Sequence, residues 1–74
     1  MTLDNLQTGK SAILTDIDSS QSLRPRLMEM GLTPGTPVSI VRVAPLGDPI
    51  EIKVRGYRLS LRKNDAALIN CQDD

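Results

Sequence analysis

Hydrophobic positions change their period along this chain, and each change marks an element. Leu23, Leu27 and Met30 recur at spacings of four and three, one stripe of a short amphipathic helix. From Val38 the period drops to two, with Val38 and Ile40 on one face. It then slips, placing Val41 and Val43 on the other face with Arg42 between them, as at a bulge or sharp bend. The clearest alternation is Ile50-Glu51-Ile52-Lys53-Val54-Arg55, apolar inward and charged outward. Tyr57-Arg58-Leu59-Ser60-Leu61-Arg62 alternates again after Gly56, so the two runs predict a hairpin with one apolar face. Two weaker strands complete the set. Ser11 to Ile17 places Ala12 and Leu14 on one face and Ile13 and Ile17 off it, and Leu68 to Cys71 closes the chain.

Between these runs lie turn signals with a clear chemistry. Gly31 sits where the helix needs a left-handed residue to stop, and Leu32 is placed to fold back onto the last helical turn. Thr33-Pro34-Gly35-Thr36 reads as a type II turn, so helix stop, turn and strand start at Pro37 fall together. Ser22 is the expected N-cap after the polar loop Asp18 to Ser22, because it puts Pro25 in the first turn. Thr2 to Leu6 predicts one helical turn capped by Thr2, with Leu3 and Leu6 pointing the same way. Pro45 to Pro49 is a loop, Lys63 to Ala67 a turn or short 3₁₀ segment, and the tail from Gln72 a frayed end. Five short strands and one helix predict a single domain over residues 1–74. Its fold class is all-β: a closed or nearly closed small barrel with one inserted short α-helix.

Composition removes functions more than it supplies them. Nine Lys and Arg balance nine Asp and Glu, with no His and a single aromatic, Tyr57. A nucleic-acid module would carry a basic excess, and a single-strand binder would carry aromatic stacking platforms. A proline-peptide receptor would line its groove with Tyr and Trp. No apolar run approaches 18 residues, so any work at a membrane requires a partner to bring the chain there. Cys71 is the only cysteine, which excludes an internal disulfide and fits a reducing cytosol; it is expected as a small apolar residue of the last strand.

Candidate chemistry is sparse. Asp16-Ile17-Asp18-Ser19-Ser20 opens like a calcium loop, but Gln21 and Leu27 stand where that loop needs Gly and Glu. Without His the usual nucleophile and base pairing is absent, and nothing clusters to recommend a Ser/Lys or paired-carboxylate scheme. Cys71 with Asp73 and Asp74 makes a poor metal site at the chain's end, and no glycine-rich phosphate loop is found. No cofactor and no catalytic residue are predicted. Met30 continues the helix stripe and belongs to the core, whereas Met28 sits off it as a candidate surface contact. Arg55, Arg58 and Arg62 form a row on the outer face of the hairpin, as a solvated face that blunts edge pairing would.

Three blocks in order carry a resemblance: Arg26-Leu27-Met28-Glu29-Met30-Gly31-Leu32-Thr33-Pro34-Gly35, Ala44-Pro45-Leu46-Gly47-Asp48-Pro49-Ile50, and Arg55-Gly56-Tyr57-Arg58-Leu59-Ser60-Leu61-Arg62. With Leu6, Gly9 and Ala12 to Ile17 before them, and Ala66, Leu68 and Ile69 after, nearly the whole chain resembles the FeoA family, ferrous iron transport protein A. The resemblance implies an SH3-like small β-barrel with an inserted helix. It further implies a cytoplasmic accessory protein of bacterial ferrous iron uptake, peripheral at the inner membrane through its partner. That partner would be FeoB, the transporter with a cytosolic GTPase domain, and neither catalysis nor a bound cofactor is implied.

A docking surface is expected at Met28, Leu32, Pro45, Leu46, Asp48, Pro49 and Arg58, where two prolines stiffen the loop and reduce the entropy lost on binding. Two other classes compete with this reading. The chain also resembles the C-terminal SH3-like domain of iron-dependent repressors, although no DNA-binding helical domain is seen before it. A ferrous iron carrier would need Asp16, Asp18 and Asp48 to converge.

Overall fold

In a computed structural model, residues 1–18 and 23–73 are described. The expected cap at Ser22, the Ser19 to Ser22 part of the polar loop and the final Asp74 lie outside the described residues, as does the side chain of Leu23. The chain runs through a 3₁₀ turn (Leu3–Asn5), β1 (Ser11–Ile17), α1 (Leu23–Glu29), β2 (Pro37–Val43), β3 (Ile50–Val54), β4 (Tyr57–Leu61), α2 (Lys63–Ala66) and β5 (Ile69–Asp73). All five strands pair antiparallel in one sheet of order β4-β3-β2-β1-β5.

The expected barrel is therefore SH3-like but open, because β4 and β5 end the sheet without pairing to each other. Two bulges bend it. One lies between Ile40 and Arg42 in β2 against β3, where the sequence shows its phase slip. The other lies between Leu14 and Asp16 in β1 against β5, and it corrects one expectation. With Thr15 as the extra residue, Ile17 returns to the inner face, 3% exposed beside Ala12 and Leu14 rather than off it. Val38 and Ile40, then Ile50, Ile52 and Val54, then Leu61, Ile69 and Cys71 complete that face. Leu3 and Leu6 of the N-terminal turn and Ala66 of α2 close over it.

Helix α1 ends as its glycine dictates. Gly31 adopts φ +95, its N–H bonds Met28 O at 3.0 Å, and Leu32 N–H reaches back to Leu27 O at 3.0 Å. This paired arrangement closes the last helical turn and buries Leu32 against Leu27, 0% and 1% exposed. Gly35 at φ +89, with Thr36 N–H bonded to Thr33 O at 3.1 Å, then makes the expected type II turn into β2. The hairpin turns on two residues rather than on Gly56 alone. Arg55 at φ 47 and Gly56 at φ 89 are both left-handed, the geometry that matches the twist of the flanking strands.

Three local expectations change, the first being that Gln72 and Asp73, expected in a frayed end, pair with β1 as part of β5. Thr2 precedes the N-terminal turn but makes no side-chain cap; its hydroxyl donates to Asp4 Oδ1 and accepts from Asn5 Nδ2 at 3.1 Å. Lys63 to Ala66 forms a short α-helix, because a distant carboxylate holds its first amide: Asp48 Oδ1 accepts from Lys63 N–H at 2.9 Å.

Candidate functional site: two ends of one strand

The seven residues of β2 span about 20 Å, and the expected contact residues divide between its two ends. At its start lie the Gly31–Thr36 corner, the C-terminal turn of α1 with Met28, and the hairpin turn, since Val38 pairs with Val54 and Val54 with Tyr57. Arg58, one step from that turn, belongs to this end. At its finish lies the Ala44–Pro49 loop, which carries Pro45, Leu46, Asp48 and Pro49. The corner and the loop therefore do not form one patch.

At the corner end little is available to a partner. Leu32 is fully buried, so its side chain is removed from the contact set; it is the hydrophobic half of the helix stop. Met28 is exposed, and Arg58 reaches Glu51 Oε2 at 3.4 Å while remaining largely open to solvent. The arginine row is not one face. Arg55 turns inward and donates from Nη2 to Thr36 Oγ1 at 3.2 Å, while Arg62 precedes α2 as its cap residue. Thr36, wholly buried, also lies 3.0 Å from Thr33 Oγ1 and 3.4 Å from Gly31 O, so a polar knot ties hairpin turn to corner. Tyr57 was unassigned by its position in the sequence, and it lies over Gly31. Only its status as the lone aromatic could have singled it out.

The loop end is built differently. Gly47 N–H bonds Ala44 O at 2.7 Å and Ala44 N–H bonds Pro49 O at 3.1 Å, pinning the loop base across its own width. The Asp48 bond to α2 holds the far side. On this frame Leu46 is 97% exposed, flanked by exposed Pro45 and Pro49 and by Val43, which is itself 38% exposed. Val43 was not among the expected contacts; the β2 bulge sets it opposite Ile50, on the face of Ile40 rather than off it, at the strand's exposed end.

Among the described residues no three His, Cys, Asp or Glu side chains are grouped to hold a metal ion. Asp16 Oδ1 is engaged by Ile17 N–H and by Arg24 at 3.2 Å, and Asp48 by α2, so the carboxylates an iron carrier would need are not brought together. Burial pushes the Cys71 thiol above its ordinary pKa, with Asp73 and Asp4 adding to the rise and the N-terminal amine opposing it. No helix is long and apolar enough to cross a membrane among the described residues.

Comparison with known proteins places this frame. The FeoA domain model matches residues 1–73. The Fe(2+) transport protein A/Fe(2+) transporter FeoB fusion protein of Porphyromonas gingivalis is 36% identical over 72 residues, covering 97% of this chain but only 8% of the fusion. The solution structure of iron(II) transport protein A from Clostridium thermocellum is 40% identical with a TM-score of 0.94, covering 99% of this chain and 45% of that one. Zinc-complexed FeoA of Stenotrophomonas maltophilia, described as a prokaryotic SH3 domain protein, is 28% identical with a TM-score of 0.86, covering 97% and 89%. IdeR of T. acidophilum shares the fold alone, at 21% identity and a TM-score of 0.87, covering 100% of this chain and 34% of that one. By the domain match along its length and by these relatives, the chain belongs to the FeoA family of ferrous iron transport.

Proposed function

We propose that this chain is a non-catalytic, cytoplasmic accessory protein that docks on a FeoB ferrous iron transporter and modulates its transport or GTPase activity. The observation that carries the reading is the Ala44–Pro49 loop, which holds Leu46 almost wholly in solvent on a pinned base. One exposed leucine is ordinary on a protein surface. Here Val43, Pro45 and Pro49 of the same stretch are also exposed, and a restrained loop loses little entropy when a partner covers it. The Porphyromonas relative joins the two transport proteins in one polypeptide, which supports FeoB as the partner. Asp48 and Pro49 shape this loop, and Pro45 and Leu46 make the contact. Met28 and Arg58 lie at the other end of β2, away from this contact.

The test is ferrous iron uptake in cells that depend on the transporter, comparing the wild-type chain with Leu46→Asp. Uptake should fall toward the level without the accessory protein while the purified variant keeps its melting temperature. Unchanged uptake would remove this loop from the contact.

A further inference from the structure

An open sheet has two edges, and they are treated differently here. The outer edge of β5 is covered by the N-terminus: Thr2 bridges Asn70, and Cys71 N–H bonds Met1 O at 2.8 Å. Among the described residues β4 pairs only with β3. In a hairpin turning on two residues, the flanking pair Val54 and Tyr57 exchange hydrogen bonds, and bonded pairs then alternate. Tyr57, Leu59 and Leu61 therefore turn their N–H and C=O toward β3. Arg58 and Ser60 turn theirs away, and among the described residues no backbone or side-chain group meets them.

The exposed charges that follow β4 along this edge are mainly basic. Arg58 projects from it and exposed Arg62 and Lys63 follow it, while Arg55 before it is engaged by Thr36. Of the nearby acids, Glu51 already shares Arg58, and Asp48 is held by α2. On the inward side Leu59 is only partly buried against the core and Tyr57 is 42% exposed. The edge then runs into an open groove of about 330 Å³ lined by Asp48, Pro49, Ser60, Leu61 and Arg62. A second copy of β4 laid antiparallel about Arg58 or about Ser60 would set Arg58 against Arg58 or Arg62, which disfavours self-pairing in those registers.

We propose that β4 is a strand-addition site for an extended segment of another protein that alternates acidic and apolar residues. Its backbone pairs with Arg58 and Ser60, its carboxylates face Arg58 and Arg62, and its apolar residues extend the face of Tyr57, Leu59 and Leu61. The far end of this surface meets the base of the Leu46 loop at Asp48 and Pro49, and the proposal does not depend on which protein supplies the segment.

The test titrates the isotope-labelled chain with a peptide of about ten residues alternating Val and Glu, and with its Val and Lys counterpart. Amide exchange of Arg58 and Ser60 should slow with the Glu peptide, and the Lys peptide should bind about tenfold more weakly or worse. Ser60→Pro removes one outward N–H without touching the β3–β4 ladder, and it should weaken the Glu peptide about tenfold while the Leu59 and Leu61 amides stay protected. If that variant fails to fold, Arg58→Glu takes its place and should reverse the preference between peptides. Equal binding of the two peptides, or perturbation away from Arg58 and Ser60, overturns the proposal. So does concentration-dependent protection of these two amides without peptide, which would make the occupant a second copy.

Discussion

The hydroxyl of Tyr57 stands over Gly31 so closely that a Cβ at Gly31 would lie 2.9 Å from it. One glycine thus meets two demands: it supplies the left-handed φ that ends α1, and it leaves room for the hairpin to pack on the corner. Because Tyr57 is 42% exposed and meets Gly31 with the far end of its side chain, the ring can swing outward. The φ of +95 cannot be relieved in the same way.

Gly31→Ala is therefore expected to cost about 1–2 kcal/mol, chiefly from the left-handed backbone. Tyr57→Phe, which removes the crowding oxygen, should recover only a fraction of that in the double variant. Urea unfolding of the four members of the cycle measures the coupling. Full recovery in the double variant would mean that the contact, not the backbone, sets the cost.

Asp48 is expected to act on stability. Its carboxylate bonds the first amide of α2, so Asp48→Ala should cost about 1 kcal/mol, in the range of a lost helix cap. In a domain of this size that lowers the melting temperature by about 4–8 °C. Asp48→Asn, which keeps an acceptor oxygen, should lose less. An unchanged melting temperature for Asp48→Ala would deny the residue this role.

Cys71 sets an alkaline limit. Its pKa is raised in the folded state, chiefly by burial, so between the unfolded and folded values the folded chain holds the proton more tightly. That contribution is complete below the unfolded value of about 8.5 and is lost as pH rises through the folded one. Stability should therefore fall as pH rises from about 8.5 toward the folded value and level off beyond it, and Cys71→Ala should flatten this part of the profile whatever its own cost in packing. Identical slopes in the two proteins would show that other groups cause the fall.

Much of the fold was legible because its signals are local. The helix stop at Gly31, the turn at Pro34 and Gly35 and the hairpin at Gly56 each follow from residues within a few positions of each other. The β2 bulge was readable because its phase slip sits in the strand itself. What could not be read came from partners distant in sequence. Ile17 faces inward because β5 pairs across the bulge at Thr15, and α2 is helical with the help of a carboxylate fifteen positions earlier. Leu32 shows the same limit at the site. Its fold-back onto the helix was visible in the sequence, but only the packed core shows that nothing of it remains for a partner. The separation of corner and loop along β2 likewise needs strand pairing, not spacing.

The central claim is that the Leu46 loop holds the transporter, and binding tests it most directly. Full-length FeoB from the same organism, in lipid nanodiscs, would be titrated with the wild-type chain and with Leu46→Asp. Leu46 is almost wholly solvated, so the variant's unfolding free energy should match wild type within about 0.5 kcal/mol. Saturable wild-type binding, weakened about tenfold or more by the substitution, is the expected result. Equal affinity of the two proteins would contradict it and place the contact elsewhere on the domain.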